Sequence, residues 1–90
     1  MRTLGFALLA AAALLPTKSV AEEFDKACAY ALAEYEAEKK TDCSINWINP
    51  ETGKTYCFSR EQTKLLFLQD AEENIHKAEE EFAKLQTKKQ

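Results

Sequence analysis

Beyond residue 21 the sequence holds one proline and one glycine, and both lie in the run Asn49-Pro50-Glu51-Thr52-Gly53. On either side the residues alternate, Ile45 and Trp47 with Ser44 and Asn46, then Tyr56 and Phe58 with Thr55 and Cys57. Period-two alternation broken by a Pro/Gly turn specifies a β-hairpin. Pairing Asn49 with Lys54 leaves the loop Pro50 to Gly53. It sets Trp47 opposite Tyr56 and Ile45 opposite Phe58, so four large side chains gather on one face. The same parity puts Cys43 on that face and Cys57 on the other.

The segments flanking the hairpin read as helices. From Glu22 to Lys40, Phe24, Ala27, Cys28, Ala31 and Tyr35 recur at three- and four-residue steps, as along one helix face. Glu22, Glu23 and Asp25 suit the positive end of such a helix, and Lys39 and Lys40 the negative end. After the hairpin, Ser59 with Gln62 three residues on has the form of a capping box. A hydrophobic block, Leu65 to Leu68, follows. Asp70 with Glu73 repeats the signature, so the helix is expected to stop near Asp70 and restart. In the last helix Ala71, Ile75, Ala78, Phe82 and Leu85 form the apolar stripe, and residues 87–90 read as a frayed tail. The expectation is an α+β fold in one small domain: an N-terminal helix, a β-hairpin, then two C-terminal helices.

The first 21 residues read as a signal peptide rather than as fold. Arg2 precedes an apolar stretch from Leu4 to Leu15, Pro16 ends it, and Ser19-Val20-Ala21 offers small residues for cleavage before Glu22. The stretch is too short to remain as a membrane anchor. The mature chain is then residues 22–90, 69 in all, carrying ten basic and fifteen acidic side chains. An excess of five negative charges disfavours nucleic acid and anionic membrane surfaces as partners. With 46% hydrophobic and 30% charged residues overall, the chain is too apolar to be disordered. Export, with the periplasm as destination, is the expected location, and it permits disulfides.

Three cysteines in such a chain allow one internal disulfide and leave one thiol. The hairpin parity argues against Cys43 with Cys57, while Cys28, from another element, could reach either. Closing the loop from Cys28 to Cys57 would stabilise the fold by about 3–4 kcal/mol in chain-entropy terms. A soft-metal site for copper or zinc is the sharper alternative, with Cys28, Cys43, Cys57 and His76 as donors. No two of these sit in a C-x-x-C or H-x-x-x-H pair, the spacing expected of a preformed zinc site. Thiol-redox catalysis lacks C-x-x-C, and hydrolysis lacks a histidine near a serine.

The run Gly53-Lys54-Thr55-Tyr56-Cys57-Phe58-Ser59, followed by Phe67 and Asp70, resembles the YHS domain, with Ala71 where that family usually has proline. The order of Cys28-Ala29-Tyr30-Ala31, then Trp47, then Asn74-Ile75-His76-Lys77-Ala78 is similar to the exported YHS-like proteins, and the likeness runs from Cys28 to about Leu85. Metal-binding YHS domains use cysteines after the aromatic strand, where this chain has Ser59 and Thr63. The resemblance makes Cys28 the retained thiol and Cys43 and Cys57 additions, which fits a disulfide from Cys57 to the first helix or, given a bulge in the hairpin, to Cys43. Because no catalytic constellation is present, the expected function is an exported, non-catalytic YHS-like accessory or binding module, whose hydrophobic block and acidic surface suit a protein partner or a second copy of itself. Trp47, Tyr56, Phe58 and Phe67 are its expected core or contact surface.

Overall fold

The computed structural model of the chain describes residues 22–89. The expected signal peptide lies outside them. The element order is a short left-handed turn over Glu23–Lys26, helix α1 (Ala29–Tyr35), strand β1 (Ile45–Ile48), strand β2 (Thr55–Phe58), helix α2 (Glu61–Leu68) and helix α3 (Ala71–Lys88). This is the expected α+β arrangement of helix, hairpin and two helices. Among the described residues no helix is long and apolar enough to cross a membrane.

The hairpin adopts the register read from its alternation, with Ile45 opposite Phe58 and Trp47 opposite Tyr56. Asn49 N–H donates to the Lys54 carbonyl at 2.9 Å, and the Gly53 N–H returns to the Asn49 carbonyl at 2.7 Å. Glycine is needed at that corner because its φ is +79°, a conformation that costs other residues steric strain. The Asn49 side chain accepts from the Glu51 N–H at 2.9 Å, which closes the loop from within.

The long first helix expected from Glu22 to Lys40 is replaced by something shorter. Phe24, Asp25 and Lys26 take left-handed backbone angles, and α1 runs only from Ala29 to Tyr35 before Glu36 turns left-handed and ends it. The reason is pairing with distant strands. Glu22 bridges Thr55 and Cys28 bridges Cys57, both parallel, while Ala27 bridges Lys40 antiparallel. Residues around Cys28 therefore lie in an extended path between β2 and the 39–41 segment, and a helix cannot occupy the same positions. The burial pattern shifts accordingly. Leu32 is fully buried, whereas Tyr35, expected on the buried stripe, is 67% exposed.

The core collects around Phe67. Its ring lies 5.1 Å from Phe58, 6.0 Å from Tyr56 and 6.5 Å from Trp47, and Phe24 bridges Tyr56 to Phe82. Of the four aromatics expected as core or surface, Tyr56, Phe58 and Phe67 are core, and Trp47 is half-buried at its edge. Helix α3 closes over this layer with Ala78 fully buried. Asn74 is buried too, and its side-chain N–H₂ donates to the Phe67 carbonyl at 3.0 Å, tying the start of α3 to the end of α2. Residues 87–89 of the stretch expected to fray are held, and residue 90 lies outside the described residues. Helix α3 continues to Lys88, and Lys89 reaches Glu38 at 3.0 Å.

Burial pushes the Tyr56 hydroxyl up to about 12, and the charges of Glu23 and Glu79 act in the same direction. The unfolded chain ionises this phenol near pH 10, about two pH units earlier. Stability that rests on neutral Tyr56 is thus complete below about pH 10 and is lost as the pH rises toward about 12. Urea titrations at about pH 8 and about pH 11 should show a lower midpoint at the higher pH, and a smaller drop in Tyr56→Phe. Equal drops in the two proteins would assign the alkaline loss to other groups.

Candidate functional site

At the seam between the first segment and the hairpin, the backbone of Cys28 is paired with that of Cys57. Cys43 and Cys57 form a disulfide with Cα atoms 4.8 Å apart, and Cys28 is a free thiol, fully buried. This corrects the expectation that Cys43 and Cys57 point to opposite faces, and of the pairings left open it is the one that the hairpin parity argued against. The register is unshifted, so no bulge in the ladder is responsible. Instead Cys43 lies before the start of β1 with φ of +63°, and that left-handed step cancels the alternation. Its N–H donates to Thr41 Oγ1 at 3.0 Å, and its carbonyl accepts from the Asn46 side chain at 2.8 Å. Asn46 is the cross-strand partner of Cys57, so the loop is drawn to the side where Cys57 points.

Cys28 sits immediately before α1, and its sulfur faces the start of α2. Ser59 Oγ donates toward Cys28 Sγ at 3.6 Å, and the thiol points at Thr63 Oγ1 at 4.0 Å. Thr63 is itself anchored, donating to the Arg60 carbonyl at 2.8 Å and accepting from the Arg60 N–H at 3.3 Å. The cap of α2 is therefore Arg60 with Thr63, one residue beyond the expected Ser59 with Gln62, because Ser59 is turned toward the sulfur. Burial alone would raise the thiol of Cys28. The amides of Ala31 and Ser59, the Ser59 hydroxyl and the Tyr30 amide favour the thiolate more, and the balance lies below the ordinary cysteine value. A cavity of about 160 Å³ borders this thiol, with Tyr30, Tyr35, Lys39 and Arg60 around it.

The donor set read for copper or zinc does not come together. Two of its thiols are joined to each other, and His76 lies on the exposed side of α3 beside Glu80 at 3.3 Å. Among the described residues no three His, Cys, Asp or Glu side chains are grouped to hold a metal ion. Ser59 and Thr63, which by resemblance stand where metal-binding YHS domains have thiols, do converge on Cys28. One sulfur with two hydroxyls is a poor match to a soft metal, which selects thiolates and imidazoles. Thr63 is the site residue that the spacing alone did not single out, and its signal was its place one turn beyond Ser59 on a helix start.

A second concavity, of about 280 Å³, lies between the hairpin loop and the start of α3. Trp47, Pro50, Ala71 and Ile75 form its apolar lining, and Glu51 and Glu72 add carboxylates. No protein-family model, curated protein or solved structure matches the chain.

Proposed function

We propose that this chain is an exported, non-catalytic YHS-like accessory module that binds a protein partner through the groove beside Trp47. The observation that carries this reading is the pairing of a half-buried tryptophan with two carboxylates in one open groove on the stapled hairpin. A concave apolar surface with a few polar groups is the usual form of a recognition site. Its charge favours an apolar side chain flanked by lysine or arginine. The five excess negative charges of residues 22–90 disfavour a second copy as the occupant.

The chain has one tryptophan, so its fluorescence reports this groove directly. The probes are two model peptides, one alternating leucine with lysine and one alternating leucine with glutamate. The expected result is a saturable change in Trp47 emission with the lysine peptide, absent with the glutamate peptide and lost in the Glu51→Lys/Glu72→Lys variant. An unresponsive tryptophan, or equal responses to both peptides, would overturn the reading. Mass spectrometry of the secreted chain tests export separately, with an N-terminus at Glu22 as the expected outcome.

A further inference from the structure

The free thiol and the disulfide are neighbours. Cys28 and Cys57 are directly paired residues of a parallel bridge, and paired residues of neighbouring strands lie about 4.8 Å apart with their side chains on the same face. That backbone spacing lies within the Cα–Cα range of about 4.4–6.8 Å that a disulfide spans. Cys57 already holds Cys43, whose own backbone is in the left-handed region that suits glycine rather than cysteine. Cys28 and Cys57 are both fully buried, while Cys43 is half-buried at the outer end of the cluster.

We propose that the three cysteines form an internal thiol–disulfide switch in which Cys28 and Cys43 compete for Cys57. In the exchange Cys28 loses its proton and its sulfur bonds to Cys57 Sγ. The Cys57–Cys43 bond breaks, and Cys43 leaves with the electron pair and takes up a proton from solvent. One disulfide and one thiol stand on each side, so no external oxidant or reductant is required. The buried thiol of one form becomes the half-buried Cys43 thiol of the other. The Cys43 segment stays tethered near its starting place, because the Thr41 N–H and hydroxyl both donate to the Lys26 carbonyl, at 3.0 and 2.9 Å. The switch thereby gives an exported chain a thiol that can form a mixed disulfide with a thiol or disulfide partner, independently of the groove beside Trp47.

The test is alkylation of the native, unreduced protein with iodoacetamide at about pH 8, where thiolates form readily, followed by acid quench, digestion without reduction and peptide mapping. The expected result is alkylated Cys43 accompanied by a Cys28–Cys57 linked peptide, with labelling of Cys43 slowed at least about tenfold in Cys28→Ala. A Cys43–Cys57 linkage that persists in full, or label on Cys28 alone, would overturn the switch. A second variant guards against misfolding of the first. In Cys43→Ser, treatment with oxidised glutathione should yield the Cys28–Cys57 disulfide, and stable glutathione adducts in its place would equally overturn the proposal.

Discussion

Replacing Phe67 with alanine is expected to cost about 3–5 kcal/mol, which for a domain of this size is most or all of its stability. Phe67 has no exposed surface, and its ring touches three others that come from both strands of the hairpin. Removing it leaves a cavity that cannot collapse easily. β1 and β2 are joined by a ladder and a disulfide, and the Asn74 bond fixes the end of α2 where Phe67 sits. The large neighbours Tyr56 and Phe58 are themselves fully buried, and Ala27, Ala29 and Ala78 are too small to fill the space. Phe67→Leu, which keeps most of the volume, should cost about 1–2 kcal/mol. Urea denaturation followed by Trp47 emission separates the two variants. A Phe67→Ala protein as stable as Phe67→Leu would show that the aromatic cluster packs loosely and contributes little.

That cluster was readable because its signals are local. Pro50 and Gly53 mark the turn, and the alternation around them sets which side chains face one another. The stripe of Ile75, Ala78 and Phe82 likewise depends only on helical period. Phe24 to Lys26 were misread because their conformation answers to residues far away. The periodicity of an alanine-rich stretch satisfies a helix, but bridges from Glu22 to Thr55 and from Cys28 to Cys57 outweigh that weak preference. One left-handed residue at Cys43 had a larger effect. It allowed the Cys43–Cys57 disulfide, which the alternation argued against, without altering the hairpin register. The candidate site shows the same division. Cys28 stood out as a residue, and Ser59 and Thr63 stood out by resemblance. Their convergence depends on how α2 docks, for which no pattern in the chain supplies a rule.

Losing the Cys43–Cys57 disulfide should lower stability by about 3 kcal/mol, the chain-entropy value for closing a loop of roughly fifteen residues. The loss should depend on which cysteine is removed. In Cys57→Ala no disulfide can form at the hairpin, because the shared partner is gone, and the buried site also loses its sulfur packing. In Cys43→Ala under oxidising conditions, Cys28 and Cys57 remain as bridge partners. A disulfide between them closes a longer loop and restores a stabilisation of similar size. Cys43→Ala is therefore expected to unfold at a higher urea concentration than Cys57→Ala when oxidised. With dithiothreitol present the two should approach each other, apart from the packing term at Cys57. Equal midpoints in oxidising buffer would mean that Cys28 cannot reach its neighbour, and the buried thiol would then serve only to fill the space between α1 and α2.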